Sequence, residues 1–418
     1  MSNFIQYGPR TFMEGQHVES LEYKTSQSSG VNACKCLMFC IEEYHDYFSF
    51  TMIFTSKLAA ASGLILFIVS LGAAHPGEPH ERRMEEANNA RMVASINARA
   101  LETCNNRPEV KARKQRAIAR REATFDRLRE KRGLKDESFV HRRDDAAFQK
   151  WAALDHNKTG IVDFNEDTPP EELFASNTSC ILAPDNANGP YFVYQELIRQ
   201  DVTEGLEGIP LHLEFQFIDV NTCEPADVLI DIWSCNTTGQ YSGISADGQG
   251  GLDSTYLRGV QVTDEEGVVN FDTLFPGHYE ARASHQHIIA HAGSEVLDNG
   301  TYTGGVVAHL SQLFFDQKLI DLVEALPPYN TNQIALTPNI EDAFAGYGAT
   351  EEYDPFINYI VLGNDVSAGL FAWAELALNT SSNWDYYAPY ASIWKSDGGV
   401  DNPAFNISVV GTPPPTHG

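Results

Sequence analysis

The chain is organised around Phe275-Pro-Gly-His-Tyr-Glu-Ala-Arg-Ala-Ser-His-Gln-His-Ile-Ile-Ala-His291. Pro276-Gly277 signals a turn, and extended chain is predicted after it. Side chains at i and i+2 of a strand share a face, so His285 and His287 present two imidazoles side by side. Tyr279 and Arg282 place a phenol and a fixed cation close by. Two surface histidines would be the ordinary reading of such a pair. A second stretch upstream changes it: Asp231-Ile-Trp-Ser-Cys-Asn-Thr-Thr-Gly-Gln-Tyr241-Ser-Gly243.

Outward from these stretches the chain reads as all-β. Leu211, Leu213, Phe215 and Phe217 alternate with His212, Glu214 and Gln216, which predicts a half-buried strand. Val228 to Trp233 has few polar breaks and predicts a strand buried on both faces. Asp264-Glu-Glu-Gly267 is expected to close a hairpin between Val260-Gln-Val262 and Val268-Val-Asn-Phe271. Gly305 to Phe315, Phe356 to Leu362 and Leu370 to Leu376 are further strands. Short strands separated by turns suggest a sandwich.

With a third stretch, Leu257-Arg-Gly-Val260 followed by Thr263-Asp-Glu-Glu-Gly267, the motifs resemble the intradiol ring-cleavage dioxygenases. Within that family the look is of the secreted fungal branch similar to the protocatechuate 3,4-dioxygenase beta subunit, over roughly residues 178 to 375. The resemblance implies an intradiol dioxygenase-type β-sandwich core, which the composition of residues 75–150 precedes with a helical N-terminal segment. It also implies a non-haem ferric ion, Fe(3+), and cleavage of a small aromatic diol by dioxygen to a muconate-type diacid. The family's iron ligands, two tyrosines and two histidines, fall on Tyr241, Tyr279, His285 and His287. Its arginine falls on Arg282 and a substrate-side glutamine on Gln312, in Leu310-Ser-Gln-Leu-Phe-Phe315. Gln286 departs from the family's apolar residue there and is expected to affect packing, since it points away from the metal face.

The chemistry of this donor set is coherent. A phenol has a pKa near ~10, but a trivalent cation deprotonates it, as metals deprotonate water and thiols. Two hard phenolates favour ferric iron, and two imidazoles add neutral nitrogen donors. With a hydroxide the site is formally neutral. A catechol bound as a dianion, displacing the hydroxide and one phenolate, leaves it neutral again. In the family the departing phenolate is the second tyrosine, here Tyr279. Arg282 would stabilise negative charge that develops on the ring.

Nearby residues have plainer expected roles. His278 and His291 are expected in surface or supporting positions, Trp233 in the core, Arg258 in a buried ion pair, and Asp264-Glu-Glu in a solvated turn. Two other classes compete with the dioxygenase reading. One is a secreted β-sandwich binding or carrier protein without catalysis. The other is a zinc or copper enzyme using His278, His285, His287 and His291.

The N-terminal third reads as processing. Met52 to Lys57, the apolar run Leu58 to Leu71 and the small residues to Ala74 form a signal peptide (52–74) in an internal position. Residues 1–51 are therefore expected to be a gene-model extension, with translation starting at Met52 and a mature N-terminus near His75 or Gly133. The alternative is a membrane anchor, for which the run is shorter than the ~20 residues a spanning helix needs. Sequons at Asn157, Asn177, Asn236, Asn299, Asn379 and Asn406 fit a secreted, extracellular glycoprotein with no stable membrane association. Past Ala74 the four cysteines Cys104, Cys180, Cys223 and Cys235 fit disulfides in an oxidising compartment. A zinc site is disfavoured, as no CxxC spacing is present.

Residues 75–150 hold 19 Lys and Arg against 13 Asp and Glu, and Met84 to Arg132 lack glycine. That composition favours helix, broken near Asn105 to Pro108. Interleaved acids argue against nucleic-acid binding. Lys131-Arg132-Gly133 and Arg142-Arg143 are dibasic, so the segment is expected to be a cleaved pro-segment or a helical linker that helps form a homodimer. From residue 151 the chain turns acidic, with six Lys and Arg against 38 Asp and Glu. Such charge disfavours anionic polymers as partners. The catalytic domain is expected over 151–410, with a disordered Pro-rich tail at 411–418.

Overall fold

A computed structural model describes residues 107–134, 156, 174, 185–348 and 354–405. All of them fall within one compact unit spanning residues 69–418. The expectations for 1–51, 52–74, Arg142-Arg143, the tail, Cys104, Cys180 and the sequons at Asn157, Asn177 and Asn406 lie outside the described residues.

After helix α1 (Pro108–Lys131), the strands run β1 (Val193–Tyr194), β2 (Pro210–Asp219), β3 (Leu229–Trp233), β4 (Arg258–Val262), β5 (Val268–Leu274), β6 (His285–Val296) and β7 (Tyr302–Phe314). Helices α2 (Gln317–Glu324) and α3 (Ala343–Gly348) follow, then β8 (Asn358–Val361), β9 (Leu370–Leu378), β10 (Ser392–Lys395) and β11 (Gly398–Asp401). Two four-stranded sheets, ordered β5-β2-β9-β8 and β4-β3-β6-β7, form a sandwich, and a small sheet β1-β10-β11 stands beside them. Leu213, Phe215, Val269 and Phe271 of one sheet meet Ile230, Ile232, Ile288 and Leu313 of the other in one buried core. This is the β-sandwich expected from the strand pattern and the motifs.

Two local expectations are corrected. The β2 strand is buried along both faces apart from Pro210, not half-buried. Helix α1 covers its outer face, where the alternating polar residues find partners. Glu214 pairs with Arg120 and Arg121, each at 3.1 Å, and Arg121 also meets Glu375 at 3.0 Å. Ile118, Phe125 and Leu128 of the helix pack on Phe371 and Trp373 of β9. The second correction concerns Asp264 to Gly267, which closes no hairpin. β4 pairs with β3 and β5 pairs with β2, so this turn carries the chain from one sheet to the other. The Asp264 carboxylate accepts from the Glu266 and Val268 amides and shapes the corner. At Gly267, with φ +77°, an added Cβ would lie 2.3 Å from the Phe217 carbonyl oxygen, so the corner requires glycine.

No described helix is long and apolar enough to cross a membrane.

Candidate metal centre

The site lies on the outer face of the β4-β3-β6-β7 sheet. One rung sets much of it: Arg258 stands opposite Trp233, Trp233 opposite His287, and His287 opposite Gln312. Side chains opposite each other in adjacent strands share a face, and His285 joins them two residues from His287. The tyrosines come from loops, Tyr241 between β3 and β4 and Tyr279 between β5 and β6. Those loops touch backbone to backbone. A Cβ at Gly239 would lie 2.4 Å from the His278 carbonyl oxygen, and one at Gly277 the same distance from that of Asn236. Both motif glycines are what lets the two tyrosines approach.

Tyr241, Tyr279, His285 and His287 converge, and all four are buried. The Nε2 atoms of His285 and His287 are 2.9 Å apart. The Tyr241 and Tyr279 rings stand edge to face at 5.4 Å, and Tyr279 lies 5.7 Å from the His285 ring. His285 Nδ1 donates to the Ala283 carbonyl at 2.6 Å, since a carbonyl can only accept. That fixes the tautomer with a bare Nε2. Trp233 stacks on His287 at 4.6 Å with 6° between the planes. The Tyr241 hydroxyl is buried with no hydrogen-bond partner.

Burial, with Tyr279 close by, pushes the Tyr241 phenol well above its ordinary pKa. Burial likewise raises Tyr279, although Arg282 opposes it. Burial, reinforced by Arg282, drives His285 well below its ordinary value. The protein alone therefore keeps neutral donors aimed at one point. Ionising both phenols there requires a cation the side chains do not supply. An unpartnered buried phenol, a second phenol and two converging imidazoles fit a hard trivalent ion.

Arg282 is fully buried and uses all three nitrogens. Nε donates to Asp342 Oδ2 at 2.8 Å, Nη1 to the Tyr279 hydroxyl at 3.1 Å, and Nη2 to Gln312 Oε1. Burial works to lower its pKa, but Asp342 and Tyr279 outweigh that and raise it. Gln312 in turn donates to the Ala187 carbonyl at 2.7 Å, tying β7 to the segment before β1.

Asp342 is the residue sequence reasoning missed. Its Oδ2 also receives the Ala283 amide, and its Oδ1 receives the Phe344 and Ala345 amides at the start of α3. A helix-capping acid was the sole local signal, and capping does not reveal a partner 60 residues away. Tyr191 was also missed: it stacks on Tyr241 at 4.5 Å and is only partly buried. Trp233, expected as core, is buried and orients a site imidazole as well.

The other expectations divide. Gln286 does point away from the site, donating to the Trp233 carbonyl at 2.7 Å. Arg258 is buried as expected, with the Glu196 carboxyl 3.7 Å away, and it also holds the Ser242 carbonyl beside Tyr241. His278 and His291 are buried, not at the surface. His278 engages Glu324 at 2.7 Å and the Ile334 carbonyl at 2.9 Å, while His291 lies against Tyr302. Neither joins His285 and His287, so the four-histidine zinc or copper site is not assembled. Among the described cysteines Cys223 is disulfide-bonded, but Cys235 is a free thiol, which corrects its expected pairing. It sits among the site's aromatic residues, where burial pushes it up to about 12.

A dioxygenase family model matches residues 187–298, from the Gln312 anchor at Ala187 through the His285–His287 strand. An intradiol ring-cleavage dioxygenase from the mite Tetranychus urticae is 32% identical over 50% of this chain and 100% of its own, with a TM-score of 0.42. Hydroxyquinol 1,2-dioxygenase from Pseudomonas putida DLL-E4 is 17% identical over 49% of this chain and 68% of its own, with a TM-score of 0.32. Catechol 1,2-dioxygenase from Acinetobacter sp. ADP1 is 19% identical over 47% of this chain and 62% of its own, with a TM-score of 0.32. No curated protein matches. The identity across the whole mite protein, together with the family model, defines the class: this chain belongs to the intradiol ring-cleavage dioxygenases. It is an oxidoreductase of that family.

Proposed function

We propose that the chain cleaves a catechol between its two hydroxyls, with dioxygen and one ferric ion held by Tyr241, Tyr279, His285 and His287, giving a muconate-type diacid. The observation that carries this is the meeting of two imidazole Nε2 atoms, 2.9 Å apart, with two buried phenols, one of them unpartnered. Ferric iron bound there would supply the electron-withdrawing chemistry that opens a catecholate ring to dioxygen. The chain's own residues do the rest. Trp233 and the Ala283 carbonyl orient the imidazoles. Tyr279 Oη would be the base for a catechol proton, and Arg282 Nη1, 3.1 Å away, donates a hydrogen bond to that oxygen. Arg282 and Gln312 face the ring where negative charge develops. Secretion, glycosylation and kinship to the fungal branch belong to the same proposal and rest on the internal signal sequence, the sequons and the motifs.

The test is metal analysis and a visible spectrum, followed by oxygen uptake on catechols. The expected result is one iron per chain and a red-brown band from phenolate-to-iron charge transfer. Tyr241→Phe and His287→Ala should lose both. Retention of the wild-type spectrum in both variants would overturn the ligand assignment.

A further inference from the structure

The two site tyrosines are held very differently. Among the described residues, the hydrogen bonds that reach Tyr279 come from Arg282. The Arg282 amide donates to the Tyr279 carbonyl at 3.2 Å, and Nη1 donates to the hydroxyl at 3.1 Å. The chain then runs out through exposed Glu280 and through Ala281 at φ +63°. Tyr241 is fixed at more points. Its amide donates to Gln249 Oε1 at 2.6 Å, and its carbonyl accepts from the Gly250 amide at 2.8 Å. Tyr191 stacks on the Tyr241 ring at 4.5 Å but meets Tyr279 edge-on at 5.9 Å.

The next residue carries the strongest tie. Ser242 is fully buried, and its carbonyl accepts from Arg258 Nε at 3.0 Å and from Nη2 at 2.6 Å. Its hydroxyl accepts from the same Nε at 2.9 Å and donates to the Tyr256 carbonyl at 2.6 Å. Hydrogen bonds from a guanidinium are roughly twice as strong as neutral ones. Arg258 is itself buried, at the first position of β4, on the rung it shares with Trp233 and His287. Its guanidinium carbon lies 6.0 Å from the centre of the Tyr241 ring. One rung of a rigid sheet thus fixes both the His287 imidazole and the backbone beside Tyr241. The contacts with Ser242 use the planar fork of arginine, which a lysine ammonium does not reproduce.

In the ferric catechol reading above, one phenolate leaves the metal and the other must stay. Resting on that reading, we infer that Arg258 is a positioning residue that keeps Tyr241 on the metal while a catechol displaces Tyr279. To test it, the full chain is loaded with ferric iron and mixed anaerobically with excess catechol. It is then desalted at intervals and analysed for iron, with visible spectra taken before and after mixing. Arg258→Lys keeps a cation beside Glu196, so no buried charge is stranded, but it loses the fork. This variant should bind iron with the wild-type resting spectrum. It should then lose iron to catechol at least about tenfold faster than the wild type, the scale of one charge-assisted hydrogen bond. Arg199→Lys controls for general destabilisation, because Arg199 holds the Thr255 and Arg258 carbonyls but not the Tyr241 segment. It should release iron at the wild-type rate. Ser242→Ala removes one acceptor and should speed release in the same direction as Arg258→Lys. Wild-type release from a folded Arg258→Lys would overturn the inference, and Ser242→Ala decides in the same way if the lysine variant does not fold. Equally fast release from Arg199→Lys, or a folded Arg258→Lys that takes up no iron at all, would also overturn it. A wild type that binds no iron, or whose spectrum catechol leaves unchanged, would instead remove the ferric catechol reading and this inference with it.

Discussion

Arg282 shows how one residue does two things at once. Its planar fork meets three acceptors in three directions, which a lysine ammonium on a flexible stem cannot reproduce. In the role proposed for it, Arg282 would act on charge that appears only after a catecholate binds, so its loss should fall on turnover more than on binding. Arg282→Ala is expected to retain iron and the catechol-induced spectral shift. Removing a preorganised donor of this kind costs on the order of 10²–10³ in rate, and the dioxygen step should slow by about that factor. Arg282→Lys should recover little. Stopped-flow mixing of the anaerobic catechol complex with dioxygen measures it. A normal rate in Arg282→Ala would remove the proposed role, and loss of iron would make the residue structural.

Among the elements, α1 changes the meaning of β2. Read alone, β2 has a wet face; under the helix, that face holds a carboxylate clamped by two arginines. Glu214 and Arg121 are both fully buried. Truncating one partner of a buried pair strands the other charge, at a cost of about 3–5 kcal/mol. Arg121→Ala should therefore lower the denaturant midpoint by an amount corresponding to that range. The iron spectrum should stay unchanged, because the helix lies on the sheet that does not carry the site. An unchanged midpoint would show that Arg120, which also reaches Glu214, suffices alone.

At the scale of the whole molecule, stability should depend on pH through buried acids behind the site. Burial, opposed by Arg258, raises the Glu196 carboxyl from 4.5 to about 8. A group whose folded pKa is raised binds its proton more tightly in the native state. Its contribution is full below the unfolded value and is lost as pH rises through the folded one. The window therefore runs upward from about 4.5 to about 8. The wild type should lose thermal stability across that window, and Glu196→Gln, which cannot ionise, should lose less. Parallel melting curves for the two proteins between pH 5 and 9 test this, as the general repulsion of an acidic chain acts on both alike. A wild type and variant that fall in step would show that Glu196 does not titrate in this range.

The sequence by itself determined the β class, most strand positions and the facing of His285 and His287, and its short motifs carried the family resemblance that implied Tyr241, Tyr279, Arg282 and Gln312. Those are local properties. A strand's period of two puts His285 and His287 on one face, and a turn glycine such as Gly239 or Gly277 marks a close approach wherever its partner lies. The tertiary structure alone decided the rest, because each remaining feature joins groups whose pairing leaves no local trace. Alternation along β2 could not reveal that a helix from residues 108–131 covers its polar face. The Asp264–Gly267 turn looks the same whether its strands pair or part into two sheets. Asp342 meets Arg282, and Ala187 meets Gln312, only after the sandwich has folded. His278 and His291 sit as close in sequence to the metal pair as ligands would. Glu324 and Tyr302, brought in by other elements, engage them instead.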